Sequence, residues 1–406
     1  MMTGERKVIF IGLDGVSWDI VRGTGLLRGV KRLAERGCWA YLESIPPSTF
    51  PGWTTLTSGV NPGKHGLFEF TSFRISGTQV VTRINTSLDV MYPRIHELLS
   101  LKKFRSVVIN LSPSFPPFPI TGVVVSDWLS PKKFVYPDRL SWLANLCVEK
   151  PLSSSGKEFV KDVERSVEGR IEIAKTLFEE EPWRLFLVIF SEPDWLLHRY
   201  YDVIKHEGGP KKTFIEIDSF IKWVEEHRPP DSMIVIASDH GMGKGHFVLK
   251  PNVVLASEGL LRGRMGGSGE KTFKSALDLL HGGGTDIHGC PSGIPPLASL
   301  VKLMPLRFLK RIPHNLIMKI SSALGLHYAP VIDCASSIAF MPDNLTYGVY
   351  INESVGERHA PWALARLLAR RLDLAGLAAR PLKIVAPRDR VYHGPFIGRA
   401  PHIVLI

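Results

Sequence analysis

Three short apolar runs of the sequence end in an aspartate. Asp14 ends KVIFIGLD, Asp194 ends RLFLVIFSEPD, and Asp239 lies near the end of SMIVIASDH. One aspartate after a strand commonly caps the helix that follows, and alone it would indicate nothing more. Three carboxylates in equivalent positions indicate a shared site, because parallel strands bring their carboxyl ends to one edge of a sheet.

Two histidines accompany these acids. His198 follows Asp194 by four residues in DWLLH, so both side chains lie on one face if a helix begins there. His240 follows Asp239 directly in SDHGM, where an irregular turn would let both side chains reach a metal ion. A capping aspartate with a surface histidine, or a plain turn, is the alternative for each pair. Carboxylate and imidazole together suit Zn²⁺, Mn²⁺ or Fe²⁺ better than Ca²⁺ or Mg²⁺, so these residues predict a transition-metal site.

A hydroxyl-rich segment, IPPSTFPGWTTLTSG, offers a nucleophile. Thr49 stands just before Pro51, and proline is favoured in the first turn of a helix. The free N–H groups at such a helix start attract anions. A hydroxyl attacks well only when its pKa is lowered, and a bound divalent cation does this. The alternative is that Ser48 or Thr49 simply caps the helix.

The aspartates need a sheet that brings them together, and the apolar runs predict one. The runs are rich in Val and Ile and do not alternate with polar residues, which is typical of strands covered on both faces. Helical patterns lie between them at 155–181 and 212–227. The predicted fold class is therefore α/β, with a mostly parallel central sheet between helical layers. The runs are 7–14, 105–110, 122–128, 184–194 and 232–240.

Changes in residue composition along the sequence divide the chain into three parts. Residues 1–255 are predicted to form the core α/β domain that carries the metal site. Residues 256–330 read as an insertion of Gly-rich loops and basic amphipathic helices. Residues 331–406 contain further short strands and a helix, and we expect them to complete the core.

Composition limits the classes of function. The 406 residues are 44% hydrophobic and 22% charged, which permits a large core and argues against disorder. A net charge of +11 favours anionic partners, namely phosphate esters, nucleic acid or acidic lipid headgroups, although it is also common in ordinary soluble proteins. The four cysteines are scattered, no signal peptide is recognisable and no apolar run reaches 18 residues. These features predict a cytoplasmic protein without a transmembrane span.

Four motifs in this order resemble a known family. IGLDG, PPSTFPGWTTLTSGVNPGKHG, D-x-x-x-H and SDHGM are similar to the type I phosphodiesterase/nucleotide pyrophosphatase family of the alkaline phosphatase superfamily. The resemblance is greatest to its prokaryotic and archaeal members and extends from about residue 7 to the C-terminus. It implies an alkaline-phosphatase-like three-layer sandwich with an inserted subregion.

The resemblance also implies a site with two divalent metal ions, most simply Zn²⁺, with Mn²⁺ or Fe²⁺ as alternatives. The second metal would be held by Asp194 and His198. Thr49 would attack phosphorus and form a phospho-enzyme intermediate, which water then hydrolyses. The ligands implied for the first metal, which activates the nucleophile, are Asp14, Thr49, Asp239 and His240.

The C-terminal segment departs from the family pattern. The family's third ligand to the second metal is a histidine in a short motif near the C-terminus. YHGPFIGRAPHIVLI matches the approach to that motif, with His402 where an acid is usual, and the sequence ends at Ile406. We therefore expect this ligand to be missing and the second metal to bind weakly. The histidines that remain as candidates to replace it are His246, His281, His288, His393 and His402.

A second departure concerns the substrate. Nucleotide pyrophosphatases carry a phosphate-contacting asparagine where this sequence reads HGLFEF, and Phe68 and Phe70 stand there instead. The resemblance therefore disfavours a nucleotide substrate. Lys64, just before this segment, and His65, its first residue, are candidates for a phosphate contact, but a role in a structured loop is the favoured interpretation.

These observations predict a metal-dependent phosphoric-ester hydrolase that acts on small molecules and prefers phosphodiesters. The alternatives are a phosphomonoesterase or sulfatase-like hydrolase, and a pseudoenzyme that binds phosphorylated ligands after loss of the last metal ligand. Nucleic-acid binding is suggested by charge alone. The basic residues of 302–319 suggest weak contact with a membrane surface, although a solvated helix face is the more common origin of such a pattern.

Overall fold

A computed structural model describes most of the chain outside the predicted insertion. The described residues are 6–76, 79–147, 156–202, 204, 210–244, 250–265, 330–333, 336–343, 345–356, 361–374 and 384–406. His246, His281, His288 and the basic segment 302–319 lie outside them, as does nearly all of the insertion. The division at residues 255 and 330 therefore stays a prediction.

The strands and helices follow one another along the chain with these bounds. The strands are β1 (Lys7–Leu13), β2 (Thr71–Ser76), β3 (Gln79–Ile84), β4 (Ser106–Ile109), β5 (Gly122–Val125), β6 (Val135–Tyr136), β7 (Leu185–Phe190), β8 (Ser232–Ala237), β9 (Gly263–Met265), β10 (Pro330–Ile332), β11 (Ala339–Phe340), β12 (Gly348–Ile351), β13 (Ile384–Val385) and β14 (Ile403–Leu405). The helices are α1 (Trp18–Thr24), α2 (Arg28–Arg36), α3 (Thr49–Ser58), α4 (Pro62–His65), α5 (Ile95–Leu101), α6 (Gly156–Glu180), α7 (Glu192–Tyr200), α8 (Lys212–His227), α9 (Pro251–Ser257), α10 (Glu353–Gly356) and α11 (Pro361–Leu374).

A central sheet organises the first two thirds of the chain. In the described residues its strand order is β6-β5-β4-β7-β1-β8, and only the edge pair β5–β6 is antiparallel. This confirms the predicted α/β fold with a mostly parallel sheet. The five predicted runs become β1, β4, β5, β7 and β8, and the two predicted helical segments become α6 and α8.

Helices cover both faces of this sheet, which explains why its strands do not alternate between apolar and polar residues. On one face, Val107 and Phe186 pack with Phe159 of α6 and Phe214 of α8. On the other face, the neighbouring strand residues pack with Trp53 of α3 and Leu99 of α5. The sheet is thus the middle layer of a three-layer sandwich.

The C-terminal strands form a second sheet of their own. β11, β12, β14 and β13 pair antiparallel in that order and enclose a separate core around Phe340, Val349 and Ile403. The Glu69 carboxylate, just before β2, accepts a hydrogen bond of 2.6 Å from the backbone N–H of Tyr347 and so joins this sheet to the segment that follows α4. None of the helices in the described ranges is both long and apolar enough to cross a membrane.

Candidate metal centre

Asp14 lies immediately after β1 and is buried. Its backbone N–H donates to the carbonyl of Phe190 at 2.9 Å, which holds the end of β1 against the end of β7. The indole Nε1 of Trp53 donates to its Oδ2 at 3.4 Å, whereas its Oδ1 is buried without a hydrogen bond. The next residue, Gly15, has φ +72°, and a Cβ there would lie 3.2 Å from Oδ1 of Asp194. Glycine therefore permits the close approach of the two acidic segments.

Asp239 and His240 lie in the turn after β8, beside the end of β1. The backbone N–H of Gly15 donates to Oδ1 of Asp239 at 3.4 Å. Nδ1 of His240 lies 3.0 Å from the carbonyl of Gly241, which can only accept, so Nδ1 carries the proton. Nε2 is the ring nitrogen that lies near the acids, 3.4 Å from Oδ2 of Asp239 and 3.5 Å from Oδ1 of Asp14. A neutral imidazole with its proton on Nδ1 could bind a metal ion through this atom.

Asp194 and His198 lie one turn apart on α7, as the sequence predicts. Nε2 of His198 is 3.2 Å from Oδ1 of Asp194. Asp194 is buried at the start of the helix, but the His198 side chain is 61% exposed. The pair thus reaches from the buried cluster towards solvent.

Thr49 is the first residue of α3 and is buried. Ser48 stands at the N-cap position, but its side chain makes no capping hydrogen bond. The Thr49 hydroxyl lies 3.4 Å from Nε2 of His240. It is thus directed towards the histidine of the cluster. Gly52, one turn further along, lets α3 lie against the turn after β8, because a Cβ there would be 2.9 Å from Cβ of Asp239.

These segments meet at the carboxyl edge of the three neighbouring strands β7, β1 and β8. Ligand atoms of Asp14, Asp194 and His240 all lie within 4.8 Å of one another. Burial, together with Asp239 and Asp194, raises the pKa of Asp14 well above its usual value. Burial and Asp194 do the same to the pKa of Asp239. These buried carboxylates repel one another, and those of Asp14 and Asp239 each carry one oxygen without a hydrogen bond. They fit a divalent cation, which would supply the missing charge and contacts.

The candidate replacement histidines that are described belong to the second sheet or its approach. The ring of His402 accepts from the backbone N–H of Ile351 at 3.1 Å, and its Nε2 lies 3.1 Å from Oε1 of Glu353. The backbone of His393 packs against Gly63, where a Cβ would lie 2.5 Å from the His393 carbonyl oxygen. The ring of His402 is therefore engaged within the second sheet and not by the acids of the cluster.

A buried ion pair that sequence reasoning missed supports the start of α7. Oε1 of Glu192, two residues before Asp194, accepts from Nε of Arg170 at 2.8 Å and from the hydroxyl of Ser166 at 2.7 Å. Both partners are on α6, so this contact fixes α7 against α6. The only signal in the sequence was a second acid directly after a buried strand. Nothing in the sequence pairs it with Arg170.

His65 turns out to be structural, in agreement with the favoured interpretation of its loop. It is fully buried, its Nδ1 accepts from the N–H of Leu67 at 3.2 Å, and its Nε2–H donates to Thr55 on α3 at 2.9 Å. Burial lowers the pKa of His65 to about 3. The ring thus holds the loop after α4 to the helix that carries Thr49.

We expect His65→Gln to lower the free energy of unfolding by about 1–3 kcal/mol, because one or both buried hydrogen bonds are lost. The unfolded chain binds the His65 proton near pH 6.5 and the folded chain only near pH 3. Stability supplied by the neutral ring is therefore lost as the pH falls through this window, by about 1.4 kcal/mol per pH unit. Urea unfolding at several pH values should show that the variant lacks this slope. His227→Gln, at an exposed site on α8, is the control.

Comparisons with known proteins indicate the family and the fold. The profile of the type I phosphodiesterase/nucleotide pyrophosphatase family matches residues 8–284. The structure of alkaline phosphatase PafA is similar over 99% of this chain and 85% of its own, at 14% identity and a TM-score of 0.50. This likeness shows an alkaline-phosphatase-like fold.

Two further solved structures are similar over shorter stretches. Phosphonoacetate hydrolase from Sinorhizobium meliloti 1021 has 18% identity over 64% of each chain, with a TM-score of 0.46. Murine ectonucleotide pyrophosphatase/phosphodiesterase 5 has 16% identity over 70% of this chain and 71% of its own, with a TM-score of 0.42. The chain thus spans 64% of the length of the phosphonoacetate hydrolase. No curated protein matches the sequence. Because the family profile covers well over half of its length, the chain belongs to the type I phosphodiesterase/nucleotide pyrophosphatase family.

Proposed function

We propose that the chain is a metal-dependent phosphoric-ester hydrolase that prefers phosphodiesters and uses Thr49 as its nucleophile. One observation carries the proposal. The buried Thr49 hydroxyl stands at a helix N-terminus, 3.4 Å from His240. The same cluster holds the buried carboxylates of Asp14 and Asp239, and one oxygen of each has no hydrogen bond. Family membership agrees with phosphodiester chemistry.

The described residues would hold two divalent cations. One would lie among Asp239, His240 and the Thr49 hydroxyl, and the other between Asp194 and His198. Asp14 lies within 4.8 Å of both His240 and Asp194, and we assign it to the first. The donor set of carboxylates, imidazoles and a hydroxyl fits Zn²⁺, with Mn²⁺ or Fe²⁺ as alternatives. When bound, such ions lower the pKa of a hydroxyl and neutralise charge on phosphoryl oxygens.

The chain itself positions the nucleophile and the phosphoryl group. α3 begins at Thr49, and the free backbone N–H groups of its first turn would attract the phosphoryl oxygens of a group bound to this residue. Oγ1 of Thr49 bonds to phosphorus, its proton leaves to solvent, and the leaving-group oxygen departs with the electron pair of its bond. Water then cleaves the Thr49–phosphorus bond, which restores the hydroxyl and releases the phosphate product.

The segment after α4 supports a substrate other than a nucleotide. Phe68 packs edge-on against Tyr392 with ring centroids 4.9 Å apart, and Phe70 packs on Phe50 at 4.6 Å. Glu69, between them, is buried and hydrogen-bonded to the backbone of Tyr347. The side chains that replace the phosphate-contacting asparagine are therefore used for packing.

Hydrolysis of bis-p-nitrophenyl phosphate and p-nitrophenyl phosphate tests the proposal, with the protein stripped by a chelator and then given Zn²⁺ or Mn²⁺. We expect metal-dependent turnover that is faster for the diester. In excess metal, a count of bound ions by mass spectrometry should give two per chain, and the ion held by Asp194 and His198 should be lost first on dilution. Faster turnover of the monoester would instead indicate a phosphomonoesterase. A folded protein that binds phosphorylated ligands but turns over neither substrate with any metal would be a pseudoenzyme.

A further inference from the structure

An apolar stripe of exposed side chains runs along the outer surface of α5 and the segment before it. Its members are 39% to 78% exposed, and the three that lie on α5 recur at every third residue, which places them on one side of that helix. The stripe consists of Leu88, Met91, Tyr92, Ile95, Leu98 and Leu101. The opposite side of α5 packs against the rest of the protein, because His96 is buried and Leu99 contacts the central sheet. The helix is thus apolar on both sides, which a solvated surface helix is not.

A neighbouring loop widens the stripe into a patch. Residues 113–121 run beside it, since the carbonyl of Phe115 accepts from the N–H of Ser87 at 2.8 Å and Ser100 Oγ accepts from the N–H of Thr121 at 2.7 Å. Phe118 in this loop is itself exposed. The ring of Phe115 contacts that of Phe134 at 5.4 Å, so the apolar surface continues to the edge strand β6. Contiguous exposed apolar surface of this kind marks an interaction site.

Within residues 86–134 the exposed charges all have one sign, and the first exposed acid beyond them is Asp138, after β6. The three acids of residues 86–134 are engaged within the fold: Asp89 pairs with Arg83, Glu97 pairs with Arg94, and Asp127 accepts from Ser114. The exposed charged side chains of this segment are lysines at its two borders. They are Lys102 and Lys103 at the end of α5, and Lys132 and Lys133 just before Phe134.

From this arrangement we infer that the α5 face docks onto the surface of a lipid bilayer that contains anionic phospholipids. Aliphatic and tyrosine side chains insert among the acyl chains at such an interface, while lysines at the border bind the headgroup phosphates. The face is built from described residues only and is separate from the basic segment 302–319. It does not depend on the proposed hydrolase activity.

A bilayer fits this surface better than a second copy of the chain. Two copies joined through the stripe would bring their lysines together, and no exposed acid of residues 86–134 would oppose them. Anionic headgroups supply the opposite charge at both pairs of lysines.

Co-sedimentation of the full chain with vesicles tests the inference. We expect the protein to bind vesicles of phosphatidylcholine mixed with phosphatidylglycerol, and to bind pure phosphatidylcholine weakly. Lys102→Gln/Lys103→Gln should lower the partition coefficient about thirtyfold. Ile95→Ser/Leu98→Ser/Leu101→Ser should lower it by about tenfold or more. If thermal melting shows that the triple variant is unfolded, Leu101→Ser alone, at the most exposed position, replaces it.

Matched variants on other surfaces separate a specific face from the general positive charge of the chain. Ile215→Ser/Val253→Ser removes half-exposed aliphatic residues from α8 and α9, and Lys161→Gln/Lys222→Gln removes exposed lysines from α6 and α8. These should bind vesicles as the wild type does. An equal loss in the matched variants would overturn the inference, as would displacement from vesicles by soluble glycerol phosphate. A stripe variant that keeps vesicle binding but dissociates an oligomer would also overturn it and would show that a second copy covers the face.

Discussion

Thr49→Ala is expected to lower kcat for the diester by roughly 1,000-fold or more, because the variant lacks the group that bonds to phosphorus. The substitution removes one hydroxyl and one methyl group at the start of α3 and leaves the acids and histidines of the cluster in place. Thermal melting should therefore show a folded protein. The comparison requires steady-state rates with the same added metal for both proteins.

Two further variants show whether the loss is due to the nucleophile. Thr49→Ser keeps a hydroxyl at the same place and should retain measurable turnover. Thr54→Val alters a buried hydroxyl of the same helix that has no hydrogen-bond partner, and should leave kcat within a few-fold of the wild type. Acid quenching during turnover should trap phosphothreonine at position 49. Turnover by Thr49→Ala close to that of the wild type would show that water attacks phosphorus directly.

The sequence predicted those parts of the fold in which a residue pattern is compatible with only one kind of secondary structure. Runs such as LFLVIF are buried on both faces, and only a strand inside a covered parallel sheet needs that composition. The acids after such strands must then lie at one edge. For this reason Asp14, Asp194 and Asp239 could be expected at one edge of the sheet without knowledge of the strand order, and they lie beyond the carboxyl ends of β1, β7 and β8, with Asp194 on α7. Their roles stay proposals.

The sequence predicted less where a pattern fits several pairings. Strands β11 to β14 are two to four residues long, too short for their composition to select a sheet, and they form a separate antiparallel one. The β2–β3 hairpin mixes polar and apolar residues and was not anticipated. Long-range contacts were also hidden, because the pairing of Arg170 with Glu192 depends on how α6 crosses α7.

Asp14→Asn is expected to raise the stability of the metal-free protein and to lower that of the metal-bound protein. The variant therefore distinguishes a role of Asp14 in metal binding from a role in the fold. In the metal-free wild type, burial together with Asp239 and Asp194 raises the pKa of Asp14. The carboxylate therefore weakens the folded state increasingly as the pH rises above the usual range of an aspartate. Asparagine has the same shape, still accepts from Trp53 and carries no charge. We expect the metal-free variant to be about 1–3 kcal/mol more stable than the wild type near neutral pH.

Added Zn²⁺ or Mn²⁺ should reverse the order of stability, so that the wild type becomes more stable than the variant. Metal that binds only the folded state raises Tm with concentration, and the variant should bind at least ~100-fold more weakly because it lacks a charged ligand. Thermal melting in chelator and across a metal titration measures both effects. Asp127→Asn is the matched control. Asp127 is also buried, but it accepts hydrogen bonds from Ser114 and from the N–H of Leu129, so its amide should destabilise the fold equally with and without metal. The same metal-induced rise in Tm for Asp14→Asn and the wild type would remove Asp14 from the metal centre.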